Sequence, residues 1–161
     1  MYRESQKFSS LLTLPAAFIS LVFSAFVVIQ VLLKIQIGNH PASNTLLISI
    51  WAITVGMTFG AYNMRLITLI DTQSINITMF PLLKKEINFA DVKDMQVIAY
   101  GFVGYGIRYD MGTGTTYYNA RGNMGLQLTF DDDSVIVIGT NDPDGLTAWL
   151  TSHGFMLSRQ A

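Results

Sequence analysis

The chain has 161 residues, with 10 Lys or Arg and 11 Asp or Glu, so 13% carry charge, against about 25% in ordinary soluble domains. Half of it is hydrophobic, Cys is absent and the net charge is −1. This composition excludes a disordered chain, argues against a secreted disulfide scaffold, and lacks the basic footprint of a nucleic-acid binder.

Charge is unevenly spread. Residues 1–62 hold only Arg3, Glu4, Lys7 and Lys34, whereas residues 63–161 hold seven basic and ten acidic groups. The division predicts a membrane part followed by a water-facing part. Residues 1–8 read as an N-terminal tail. Phe8 to Leu33 is free of charge and, as helix, would cover roughly 39 Å, more than the ~30 Å hydrocarbon core. A second apolar run, Leu46 to Tyr62, follows a polar joint carrying Gly38 and Pro41. Residues 9–63 therefore read as a transmembrane hairpin with spans at about 9–33 and 45–63. The first run is too long for a cleavable signal peptide, and two such runs in succession are rare in soluble folds. Arg3 and Lys7 precede the spans, and Arg65, Lys84 and Lys85 follow them, while the joint carries only Lys34 and His40. By the positive-inside rule both ends are cytoplasmic.

Both spans carry small residues at helical spacing: Ala16, Ser20 and Ser24 in the first, Ala52, Gly56 and Gly60 in the second. Such stripes let helix backbones approach closely. They fit packing within the hairpin or docking onto another membrane subunit.

From Arg65 short β-like runs alternate with turn residues about every ten positions. Arg65 to Ile70, Ile75 to Met79 and Lys84 to Phe89 come first. A helical turn at Ala90 to Asp94 and runs starting at Met95, Ile107, Thr116, Leu126 and Val135 follow. Pro81-Leu-Leu-Lys-Lys85 should lie beside Arg65, so Arg65, Leu82, Leu83, Lys84 and Lys85 are the candidate membrane-surface contacts. Gly101-Phe-Val-Gly-Tyr-Gly106 lacks the helix behind it that a phosphate loop needs. Phe102 and Tyr105 there are candidates for a partner loop or for ordinary packing. Met111 to Tyr118 reads as a Gly-rich hairpin tip, and Asp131-Asp-Asp-Ser134 as a hairpin turn lacking the spaced ligands of a calcium loop. Asp142-Pro143 opens an amphipathic helix over about 143–153, with Trp149 as plug and Gly154 as its cap. The chain thus reads as an α+β membrane protein: a hairpin, then about seven or eight short antiparallel strands closed by a C-terminal helix.

Several runs together carry a family resemblance: Arg65-Leu-Ile-Thr-Leu-Ile, Ile75-Asn-Ile-Thr-Met-Phe, Lys84-Lys-Glu-Ile, Asp91-Val-Lys-Asp-Met, Gly106-Ile-Arg-Tyr, Leu126-Gln-Leu-Thr-Phe and Val135-Ile-Val-Ile-Gly-Thr-Asn-Asp-Pro-Asp-Gly-Leu. With the preceding spans, they make the chain resemble bacterial PH-like (pleckstrin-homology-like) membrane proteins. The resemblance covers about residues 45–152. It implies a partly open barrel or sandwich capped by a helix and no established catalysis, and it transfers no ligand residues.

With no Cys and only His40 and His153, neither a Cys/His nucleophile pair nor a zinc cluster can be assembled. No catalytic, cofactor or metal residue is assigned. The expected function is therefore non-enzymatic: an accessory or scaffold subunit of a complex in the bacterial inner membrane. The alternative is a module binding anionic lipid headgroups, against which the acidic balance of residues 63–161 weighs.

Overall fold

The computed structural model describes residues 1–8, 10–101 and 104–157. It divides into a helical unit, Ser9–Asn63, and a β-rich unit formed by Met1–Phe8 with Met64–Ala161.

In the helical unit α1, Ser10–Val27, continues through one π-helical stretch, Val28–Leu32, and α2 spans Asn44–Asn63. Pro15 lies in the second turn of α1, beyond the N–H groups that have no intrahelical partner, so it removes one helical hydrogen bond. Gln30 closes the connecting loop, its amide donating to the Asn44 side chain at 3.2 Å. Both helices are long and apolar enough to cross a membrane, and only 11% and 6% of the two spans are buried within the chain. A core helix of a soluble protein would be mostly buried; these leave Phe18, Leu21, Met57 and Phe59 exposed.

The β-rich unit holds nine strands among the described residues. Here the structure corrects the reading of residues 1–8 as a tail. Tyr2–Lys7 is a strand, β1, paired antiparallel with β2, Arg65–Ile70, so that Lys7 faces Arg65 and Tyr2 faces Ile70. β3, Ser74–Phe80, and β4, Leu83–Asn88, complete a four-stranded antiparallel meander. Leu66 and Ile70 alternate inward on β2, as Ile75, Ile77 and Met79 do on β3, and all five are fully buried. The Asp71 carboxylate turns the chain between them by accepting the Gln73 and Ser74 N–H groups, each at 2.7 Å. Those bonds hold its pKa below the ordinary carboxylate value.

A 3₁₀ turn, Phe89–Asp91, leads into the second sheet. It contains β5, Val92–Ala99; β6, Gly106–Asp110; β7, Thr115–Asn119; β8, Met124–Phe130; and β9, Val135–Thr140. Their spatial order is β5-β8-β9-β7-β6. All pairs are antiparallel except β7 with β9, which runs parallel, against the all-antiparallel expectation. The Asp-rich segment is indeed the β8–β9 turn, with Asp133 at φ 59°. One core unites both sheets and α3, Pro143–Ser152. The Asp142 side chain accepts from Gly145 N at 3.0 Å as the helix cap, and Gly154 follows the helix at φ 83°. Leu146 and Leu150, not Trp149, fill the core. Trp149 sits at its rim between Tyr2, His153 and Phe155.

Candidate functional site

The faces of the two helices sort the small-residue stripes. On α1, Ala16, Ser20 and Ser24 lie on the inward side, with Ser20 buried. On α2 the inward stripe is Leu47, Trp51, Thr54 and Thr58. Thr58 donates to Thr54 O at 2.8 Å, which leaves Ser20 to donate to Thr58 Oγ1 at 2.7 Å. Ser24 donates to Ser20 O at 2.8 Å and accepts from Trp51 Nε1 at 2.9 Å. The hydroxyl and indole groups on this seam thus satisfy one another. Ala52 and Gly56 are exposed, and a Cβ added at Gly56 or Gly60 would meet nothing within 4 Å. Packing inside the hairpin is therefore the role of the α1 stripe only. The stripe on α2 faces open space.

Strand register fixes a second region. Lys7, Arg65 and Phe80 lie side by side across β1, β2 and β3. The turn from Phe80 to Leu83 therefore sits at the end of the sheet where the chain leaves for α1 and returns from α2. Leu82 is 67% exposed and Phe80 51%, so neither packs in the core. Arg65, Lys84 and Lys85 are exposed beside them. Strands of about six residues span roughly 20 Å, which carries the Asp71 turn to the far end.

The two sheets meet differently along their two seams. Along β1 and β9 they are stitched together. Gln6 Nε2 donates to Gly139 O at 2.6 Å, and the Glu4 carboxylate accepts from Thr140 Oγ1 and Asn141 N, both at 2.7 Å. The Tyr2 hydroxyl, half-buried beside Glu4, has its pKa raised by burial and then by that negative charge. Along β4 the seam is open. A cleft of about 510 Å³ lies there, floored by Ile87, Phe130 and Ile136 and rimmed by Lys85, Glu86, Asp91, Asp131 and Asp132. Sequence reasoning missed this cleft, because it joins two segments far apart in the chain, residues 85–91 and 130–136.

Around Gly139 the core is unusually polar. Gln6 Oε1, Tyr100 Oη and Asn119 Oδ1 are buried without hydrogen-bond partners among the described residues. Burial pushes the Tyr100 hydroxyl up to about 12, so it stays neutral across the physiological range. In the predicted partner loop, Tyr105 packs against the core, and Phe102 lies outside the described residues. His153 stacks on Trp149 with ring centroids 4.1 Å apart, and its Nδ1 lies 2.9 Å from Trp149 O at the helix end. Among the described residues no cluster of three His, Cys, Asp or Glu is placed to hold a metal ion. Comparison with known protein families, curated proteins and solved structures finds no match to this chain.

Proposed function

We propose that this chain is a non-enzymatic membrane protein of the bacterial inner membrane. Its two helices anchor it, and its β-rich unit works at the cytoplasmic surface as an accessory or scaffold module. The observation that carries this reading is the insertion of two almost wholly exposed apolar helices between neighbouring strands, Lys7 facing Arg65. Helices inserted between paired strands must leave and return on one side, which agrees with the charge rule for the loop and termini. The β-rich unit fits a PH-like arrangement: a four-stranded meander and a second sheet around one core, closed by a C-terminal helix.

At the helix-bearing end, Arg65 and Lys84 would face an anionic leaflet, each contributing about 1 kcal/mol, with Phe80 and Leu82 at the interface, while Lys85 lies on the cleft rim. The vacant face of α2, with Ala52, Gly56 and Gly60, is where another membrane subunit would dock. A dedicated headgroup-binding module fits less well. It needs a basic concavity, and the open cleft carries four carboxylates against Lys85.

Single Cys variants test the anchoring, since the chain has no Cys of its own. Ser43→Cys should react with an impermeant thiol reagent from outside intact cells, and Ser134→Cys should not. Recovery of the chain in the soluble fraction would overturn the reading. Docking is tested by purification from native membranes in mild detergent. A stoichiometric membrane protein that is lost on Gly56→Leu with Gly60→Leu supports it, and enriched anionic lipid alone favours the headgroup module.

A further inference from the structure

The open seam of the β-rich unit has the features of a docking edge for an extended chain. β4 ends its sheet, with β3 on one side and, among the described residues, no strand on the other. Phe89 N donates to Gln73 O at 2.9 Å, which makes that facing pair a hydrogen-bonded one. Alternation along the ladder then makes Ile87 with Ile75 and Lys85 with Ile77 hydrogen-bonded pairs as well. The backbone N–H and C=O groups of Lys84 and Glu86 consequently point away from β3, toward the open side. Leu83, Lys85 and Ile87 share the inner face, since they face the buried Met79, Ile77 and Ile75.

The opposite seam provides the contrast: there Glu4 and Gln6 close the gap between the sheets, whereas at β4 the cleft remains. A strand laid along β4 would place alternate side chains over Ile87, Phe130 and Ile136. The side chains two positions before and after would reach Asp91, Asp131 and Asp132.

We propose that the β4 edge and its cleft bind an extended, basic segment of a partner protein by strand addition, with an aliphatic side chain over the apolar floor and Lys or Arg on either side. Main-chain bonds supply affinity in such additions, and alternate side chains supply selection. The charge of the rim, four carboxylates against one ammonium, selects a basic occupant. A second copy of this chain matches that rim less well, because its own β4 edge carries Glu86 beside Lys84 and Lys85 and would bring a further carboxylate to an acidic rim. This inference rests on the β-rich unit and goes beyond the membrane reading.

The test uses the full chain in neutral phosphatidylcholine nanodiscs and a fluorescent nine-residue peptide. The peptide has Val at its centre, Lys at the other odd positions and Thr between. Anisotropy should report saturable binding, weakened at least tenfold when the Lys are replaced by Glu. A similar loss is expected when the amides facing β4 are N-methylated. The triple variant Glu86→Gln, Asp91→Asn, Asp131→Asn should lose at least tenfold with an unchanged circular dichroism spectrum, whereas Asp144→Asn should not. Absence of binding by the Lys peptide overturns the proposal. Equal affinity for the N-methylated peptide overturns strand addition by showing attraction through charge alone. A free chain that is dimeric with β4 shielded from hydrogen exchange overturns the choice of occupant. Failure to enter nanodiscs would count against the membrane reading only, and the same titration in detergent would still decide this one.

Discussion

If the hairpin is held by the hydroxyl seam, then Thr58→Val with Trp51→Phe should loosen it and Gly56→Leu with Gly60→Leu should not. The first pair removes the two mid-helix side-chain bonds between the helices, Ser20 to Thr58 and Trp51 to Ser24, and leaves Gln30 to Asn44 at the loop end. Interhelical hydrogen bonds in bilayers contribute about 0.6 kcal/mol on average and about 1.7 at most. The double variant should therefore lose about 1–3 kcal/mol, or roughly 5- to 150-fold in the equilibrium between packed and separated helices. For the glycines the expected change is within about 0.5 kcal/mol, because an added Cβ meets nothing within 4 Å. Reversible unfolding in mixed micelles reads these differences. Disulfide trapping reads the geometry directly in a chain without native Cys. Ser20→Cys with Thr58→Cys should cross-link rapidly in native membranes, the hydroxyls there being 2.7 Å apart. Ser20→Cys with Gly56→Cys should not, since two residues turn a helix by about 200°. Preferential trapping through Gly56, or glycine variants costing more than the hydroxyl pair, would refute the seam and restore the small-residue stripe as the packing surface.

Gly139→Ala should destabilise the β-rich unit, because its Cβ would fall 3.0 Å from both Asn119 Oδ1 and Tyr100 Oη. Overpacking of this kind costs about 1–3 kcal/mol, and a melting temperature equal to the wild type would show that the polar core yields freely. Asp71 ionises below its ordinary value, so its bonds to Gln73 and Ser74 add stability above the unfolded carboxylate pKa. That stability is lost as pH falls through the lowered folded value. Asp71→Asn should flatten the acid limb of the unfolding profile, and an unchanged limb would reject this role. Environment-sensitive probes at Leu82 and Thr72 should report lipid shielding at the first and water at the second. The opposite pattern would mean that the basic, helix-bearing end faces away from the bilayer.

The helices, most strands and the α3 cap were legible because their signals are local. Apolar runs, period-two alternation and an Asp-Pro start each lie within a few residues. β1 was not. Tyr2-Arg-Glu-Ser-Gln-Lys7 has no hydrophobic alternation, and its buried position is filled by Gln6, whose amide reaches Gly139. Its partner β2 begins beyond two helices, so pairing this distant leaves no periodic trace in the segment itself. The cleft beside β4 is illegible for the same reason, being assembled from two segments far apart in the chain.

The α2 stripe is a different case, because the sequence contains two stripes at the same spacing. Gly56 and Gly60 suggest close approach through their lack of side chains. Trp51, Thr54 and Thr58 carry groups that must find hydrogen-bond partners wherever water is absent. Glycine tolerates an open face at no cost, whereas a hydroxyl or indole N–H turned into hydrocarbon forfeits its bond. The demand lies with the polar stripe, and the helix rotates to meet it. What this leaves on the outside is a smooth, small-residue face on α2 to which another helix backbone could come close.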